Sequence, residues 1–165
     1  MMTTNTTTTD ALNMLFGINY DVLKRNLEGI THEESLIQPE GGGNCLNWVL
    51  GHIVATRDNA IQLLNQAPVW EKEIAGTYQR GSEPLRDGSN AQSLEKIVAD
   101  LGRSQERLMA GLATASAPAL SAPSPDKSIA ETVGEMLFVL QFHEAYHTGQ
   151  TGLLRRMDGH EGAIK

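Results

Sequence analysis

Two histidines four residues apart, His143 and His147, are the side chains in this sequence best spaced for chemistry. On a helix, positions i and i+4 lie one above the other on the same face. Two imidazoles there can converge on one metal ion, as H-x-x-x-H helices do in zinc sites. At about 100° per residue from Ile129, Val133, Met136, Leu140 and Leu154 form a narrow apolar stripe with both histidines in its middle. The alternative is a hydrogen-bonded pair of core histidines. Two of them at ligand spacing on a core stripe favour the metal.

Other polar residues fall near the same seam. Leu46, Leu50, Ile53, Ala60 and Leu64 form a second apolar stripe, and Arg57 lies near its centre. A buried arginine needs a partner or an anionic ligand. Glu144 borders the stripe that carries the two histidines. The two charges either form a buried salt bridge, or Arg57 holds a substrate carboxylate while Glu144 acts as a base. His52 lies on a flank with Val49, Thr56 and Leu63, and spacing alone reads it as a polar boundary residue. Cys45 precedes His52 by about 10.5 Å along a helix axis. That is too far for a Cys–His pair, so it reads as a structural residue of a first turn. Gln150, one turn beyond His147, and Tyr146 could orient ligands, although packing or hydrogen bonding is the default for both. His32 reads as a solvated helix-start residue and His160 as exposed, neither binding metal.

The elements that must position these groups are helical. Asp10 is the expected N-cap of a first helix with Leu12, Leu15, Ile18, Val22 and Leu27 at helical spacing. Thr31–Glu34 matches a capping box, and Pro39–Gly43 is a loop without a phosphate-binding pattern. Asn44 is the expected cap of a second helix running to about Asn65. Residues 66–88 read as irregular, with Trp70 and Tyr78 as anchors. A third helix is predicted from about Asn90 to Ala113, with Leu94, Ile97, Leu101, Leu108 and Leu112 as its core side and Glu95, Lys96, Arg103 and Glu106 as its solvated face. Ala115–Asp126 holds three prolines and reads as a loop. Ser128–Glu131 is read as the capping box of a fourth helix, which runs to about Met157 and ends at Gly159. No strand pattern or repeat is visible. Four amphipathic helices with two longer crossover connections predict an all-α four-helix bundle, and bundles build metal sites from inward side chains on facing helices.

Bulk properties narrow the function classes. The 165 residues fit one domain, read as a disordered tail over 1–9 and a single metal-binding bundle over 10–165. Net charge is −7 with no Lys/Arg cluster, which argues against nucleic acid. No apolar run approaches the roughly 18 residues of a membrane span. The N-terminal stretch lacks the basic start and apolar centre of a signal peptide. A single cysteine forms no internal disulfide, so a cytoplasmic protein is expected.

Asn47-Trp48-Val49-Leu50-Gly51-His52 and His143-Glu144-Ala145-Tyr146-His147-Thr148-Gly149-Gln150 together resemble the DinB superfamily. So does the tail Leu153-Leu154-Arg155-Arg156, with Gly159 and Gly162-Ala163-Ile164-Lys165. The resemblance covers nearly the whole chain past the tail. It implies a homodimeric four-helix bundle with one divalent ion, zinc or nickel, bound by His52, His143 and His147. Similar proteins include thiol-dependent S-transferases and a mycothiol-dependent isomerase. The resemblance therefore implies a transferase in which the metal activates a low-molecular-weight thiol for a small-molecule substrate. The second reading is a metal-dependent hydrolase with hydroxide as nucleophile. The third is a non-catalytic, metal-stabilised stress-response bundle.

Overall fold

The computed structural model describes residues 7–86 and 88–164, and all its named elements are helices. Helix α1 (Thr8–Leu27) begins earlier than its apolar pattern indicates. Thr7 is the N-cap, and Asp10 closes the capping box from the third helical position instead of being the cap itself. Thr7–Thr9, expected in the tail, thus form the cap and first turn, while residues 1–6 lie outside the described residues. The buried face is also rotated from the expected one. Leu12, Phe16, Asn19, Leu23 and Asn26 face inward, and Ile18 is 51% exposed. The two asparagines turn the helix because their amides bond across to the last helix.

Helix α2 (His32–Ser35) carries the expected Thr31–Glu34 capping box. Helix α3 (Leu46–Leu63) has Cys45, not Asn44, at its N-cap, with no side-chain cap bond. It is buried on almost every side, which makes it the central element. Within the stretch read as irregular, a short α4 (Lys72–Thr77) forms. Helix α5 (Leu94–Thr114) starts at Ser93 and not at Asn90, because Ser93 accepts the Lys96 N–H. All five of its predicted core residues are buried. A short α6 (Ala117–Leu120) tolerates Pro118 in its first turn, where no intrahelical N–H bond is lost.

The last helix, α7 (Val133–Met157), is capped by Thr132 and Glu135, not by Ser128 and Glu131. Ser128 is already committed to a turn, its N–H and hydroxyl both donating to Asp126 Oδ1. The deep side of α7 is Leu137, Glu144, Thr148, Thr151 and Leu154. His143 and His147 lie half-buried beside that side, not at its centre.

The four long helices form a bundle in which α1 and α3 are diagonal, each packing on both α5 and α7. Asn19 and Asn26 of α1 bond to Gln141 and Thr151 of α7, so these two helices run parallel. Asn47 bonds to the Gln92 carbonyl and Arg57 to Ser104, so α3 and α5 are parallel too. The connection from α3 to α5 must therefore travel back along the whole bundle. Asp58 fixes its start by accepting the Val69 and Trp70 N–H groups at 2.6 and 3.0 Å. Trp70 and Tyr78 anchor it as expected, both fully packed in the core. The Tyr78 hydroxyl accepts the Gln92 N–H at 2.6 Å and donates to Asn47 Oδ1 at 3.1 Å.

Two apolar clusters fill the bundle. One is built around Leu23, Leu46, Leu50, Ile53, Ile97 and Leu101, the other around Leu12, Phe16, Ile61, Leu108, Leu112 and Leu137. Each such side chain contributes roughly 1.5–3 kcal/mol when fully buried. That burial is what fixes α3 and α7 face to face. Among the described residues, no helix is long and apolar enough to cross a membrane.

Candidate metal centre

The site begins with a glycine. A Cβ on Gly51 would lie 2.1 Å from Tyr78 Cδ1, so the aromatic ring rests directly on the backbone of α3. This contact brings the Tyr78 carbonyl within 2.7 Å of His52 Nδ1. A carbonyl only accepts, so Nδ1 carries the hydrogen and the neutral ring keeps its lone pair on Nε2. Trp48, one turn earlier, stacks on the same imidazole at 4.8 Å between centroids, with 13° between planes. The Trp48 ring is itself held by donation from Nε1 to Ser82 Oγ at 3.0 Å. The ring of His52 is thus fixed on one edge and one face.

From α7, His147 donates through Nδ1 to Gln150 Oε1 at 2.7 Å, which again leaves Nε2 as a lone pair. His143 lies between the two. Its Nε2 is 3.2 Å from His52 Nε2 and 3.1 Å from His147 Nε2. The three donor atoms all lie within 4.8 Å of one another. His143 Nδ1 is buried without a hydrogen-bond partner.

Electrostatics keeps the cluster neutral. Burial, then the neighbouring imidazoles, pushes His143 down from 6.5 to about 4. His52 and His147 are lowered as well, mainly by burial, against the opposing pull of the Tyr78 carbonyl and the Gln150 amide. At neutral pH three uncharged rings therefore point nitrogen at one spot, and at most one hydrogen, on His143, is shared among them. With that hydrogen on Nε2, His143 bridges its two neighbours; with it on Nδ1, three lone pairs converge and only a cation can accept them. Zinc–imidazole bonds of about 2.0–2.1 Å place tetrahedral ligands about 3.3 Å apart. The two short separations here match that spacing, so the donor set fits a divalent ion.

One side of the cluster is open. His143 and His147 line a cleft of ≈ 700 Å³ whose walls include Trp48, Tyr146, Leu153, Met157 and the glycine-rich turn at 41–43. Tyr146 meets His147 edge-on at 5.2 Å.

The remaining sequence candidates lie elsewhere. Arg57 and Glu144 pair with each other deep between the helices, with Nε–Oε2 at 2.7 Å and Nη2–Oε1 at 2.8 Å. Arg57 Nη1 donates onward to Ser104 Oγ at 3.2 Å and to the Leu101 carbonyl at 3.4 Å. The pair has the buried salt-bridge geometry, and neither residue hydrogen-bonds to the three imidazoles. Cys45 is buried at the start of α3. His32 Nδ1 accepts the Leu94 N–H and so helps to cap α5. His160 is half-buried rather than exposed, with Nε2 3.1 Å from Glu34 Oε1.

Three groups at the site were not read from the sequence: the Trp48 stack, the Tyr78 carbonyl and Arg80, which also lines the cleft. Trp48 sits four residues before His52, so helical spacing could have found it. The Tyr78 carbonyl arrives through tertiary packing of the crossover and leaves no local signal.

A family model of the DinB superfamily matches residues 16–151. Among solved structures, a conserved protein from Enterococcus faecalis is similar in fold. Its TM-score is 0.72 at 17% identity, covering 90% of this chain and 95% of that one. No curated protein matches the chain.

Proposed function

Because the chain belongs to the DinB superfamily, we propose that His52, His143 and His147 hold one divalent ion, zinc or nickel, in a thiol-dependent transferase. One observation carries this reading. Two Nδ1 atoms are pinned by acceptors, so their Nε2 lone pairs are left to converge on His143 Nε2 at ligand spacing. A bound ion there supplies Lewis-acid chemistry that makes a small thiol available as thiolate near neutral pH. The protein's own groups do the positioning. Tyr78 and Gln150 fix the two ring orientations, which also raises ligand basicity. Trp48 and Tyr146 shape the approach and limit water at the cluster. Cys45, buried at the N-cap of α3, has no part in the chemistry, so the nucleophile comes from outside the chain. The cleft beside His143 and His147 supports turnover over a sealed structural role.

The same reading extends to partners. Phe138, Phe142, Tyr146 and Leu153 are exposed apolar residues of α7, Phe142 by 72%, and an apolar face of this kind supports a homodimer. The acidic balance supports a small-molecule substrate over nucleic acid, and the lone buried cysteine supports a cytoplasmic setting.

Elemental analysis of protein purified without a nickel column tests the ligand set. One ion per chain is expected in the wild type, with its loss in His52→Ala, His143→Ala and His147→Ala and no change in His32→Ala or His160→Ala. Full stoichiometry and affinity in His52→Ala would refute the three-histidine site. Cobalt-substituted protein then separates the chemistries. A sulfur-to-metal charge-transfer band on adding a small thiol supports the transferase. Absence of the band together with thiol-independent turnover makes the protein a hydrolase.

A further inference from the structure

We infer that the cleft beside the three histidines takes a small molecule bearing a carboxylate, and that Arg80 is the residue that recognises it. This deepens the metal-dependent reading and names the class of substrate for that same site. Among the described residues, Arg80 is the single charged side chain that lines the cleft besides the neutral imidazoles. Acidic residues outnumber basic ones, 20 to 13, yet no described Asp or Glu faces this space. The lining therefore carries one positive charge, on an exposed side chain, and no facing acid, and a metal ion would add to that sign. Such a cleft concentrates anions.

Six other cations of the bundle have internal work. Arg57 is paired with Glu144, Lys24 with Asp21, and Lys96 and Arg103 with Asp100, while Arg107 and Arg155 donate to backbone carbonyls. Arg80 has no hydrogen-bond or ion-pair partner among the described residues. Arg25, Lys72, Arg86, Lys127 and Arg156 share that property but do not line the cleft beside the histidines. The backbone position of Arg80 is nonetheless fixed, although the side chain itself is exposed. The Ser82 N–H bonds to the Gln79 carbonyl at 3.0 Å, and Gly81 has φ +85°, so Arg80 occupies the first central position of a tight turn that needs glycine next. The segment is tied to the site on both sides of that turn. The Tyr78 carbonyl holds His52, and Ser82 Oγ accepts from Trp48. The chain that orients one metal-site histidine and its stacking partner thus also carries the guanidinium.

A guanidinium fork matches a carboxylate in two parallel hydrogen bonds. One cation with no second basic residue beside it fits a single carboxylate better than a phosphate dianion. Trp48, Leu153 and Met157 supply apolar wall for the body of such a molecule.

Calorimetric titration of metal-loaded protein with 3-mercaptopropionate and with its uncharged relative 3-mercaptopropionamide tests this. The carboxylate is expected to bind about tenfold tighter, the worth of one charge-assisted contact. Arg80→Gln should remove most of the preference, and Arg80→Lys should restore part of it. The thiol-free pair 3-phenylpropionate and 3-phenylpropionamide, followed by NMR on metal-free protein, repeats the comparison without the ion. Equal binding of acid and amide, or a preference undiminished in Arg80→Gln, overturns the inference while leaving the metal site intact. Tighter binding of 3-phenylpropylphosphonate than of the carboxylate overturns the carboxylate assignment. A protein that takes no metal but still prefers phenylpropionate through Arg80 keeps this inference and sinks the metalloenzyme.

Discussion

Helices α3 and α7 present two polar clusters to each other, and the clusters differ in one physical respect. Arg57 and Glu144 form a closed network, 1% and 2% exposed, with the guanidinium also bonded to Ser104 and Leu101. His52, His143 and His147, about a turn and a half away along α3, form an open one. Their outer nitrogens are held on two rings, but His143 Nδ1 has no partner, the inner three nitrogens face only one another, and the cleft reaches two of the rings. Both clusters place polar groups in an apolar seam at a cost in desolvation. Only the first recovers that cost from within the chain. A polar group left unsatisfied by its own protein is the better pointer to a ligand than a charged group as such.

The largest effect should come from opening the closed cluster. Glu144→Ala leaves the Arg57 charge buried and unpaired, a change that typically costs about 3–5 kcal/mol. Urea denaturation measures it. Replacing both partners, Arg57→Met with Glu144→Leu, should recover most of that loss, since two apolar side chains of similar volume need no counter-charge. Both variants, where folded, should bind metal as the wild type does. Wild-type stability in Glu144→Ala, or metal loss in the double variant, would show that the two clusters are one.

Gly51→Ala acts on the packing that supports the open cluster. The new methyl would meet the Tyr78 ring at 2.1 Å, and overpacking of this kind costs roughly 1–3 kcal/mol. Displacing Tyr78 also withdraws its carbonyl from His52. Stability and metal affinity should therefore fall together, which denaturation and a competitive chelator titration can follow in one preparation. An undiminished metal affinity would mean that the Tyr78 carbonyl does not set the His52 ring.

Gln150→Ala separates the properties that Gly51→Ala joins. It removes the partner of His147 Nδ1 at the edge of the cleft and disturbs no core packing. Loss of such a supporting bond typically weakens metal binding about 10–100-fold. The denaturation midpoint of the metal-free protein should not move. A lowered midpoint with unchanged affinity would assign Gln150 to the fold instead.

The bundle was legible because its signals are local and repeated. Leu94, Ile97, Leu101, Leu108 and Leu112 recur at helical spacing and all are buried. Boundaries were less legible where two capping signals compete: Ser128 lost to Thr132 because Asp126 already held it. The face of α1 was misread for a different reason. Asn19 and Asn26 are buried polar residues whose partners lie on α7, far away in sequence. The same limit applied at the site. The i, i+4 spacing marks His143 and His147, but His52 joins them across the bundle, and the family motif supplied it where spacing did not. The Tyr78 carbonyl and Arg80 come from the crossover, whose path is set by Asp58 and by the bed that Gly51 leaves for an aromatic ring. None of that is periodic.

The smallest expected effect is a pH dependence of the metal-free fold. In the folded chain His143 is held at about 4 against an ordinary value of 6.5, mainly by burial. Between those two values the unfolded chain binds the proton and the folded chain does not. Stability therefore rises with pH across that window. The contribution is fully present above 6.5, is lost as pH falls towards 4, and changes no further below that. His52 and His147 are shifted in the same direction and add to the slope. Asp58, pushed up by burial, contributes with the opposite sign, since its folded form holds a proton more readily than its unfolded form. The comparison must therefore be between wild type and His143→Asn, both stripped of metal, with urea midpoints taken from pH 4 to 7. The wild type should show the steeper rise: the two curves should run parallel above 6.5, and the wild type should lose stability relative to the variant as pH falls towards 4. Both imidazoles on α7 remain partly exposed, so solvent screening keeps the difference modest. Curves parallel throughout would mean that His143 is not held neutral by its surroundings. The open cluster would then need a change of protonation before it could accept a cation, and its contrast with the closed pair below it would be one of charge state and not of unmet bonding.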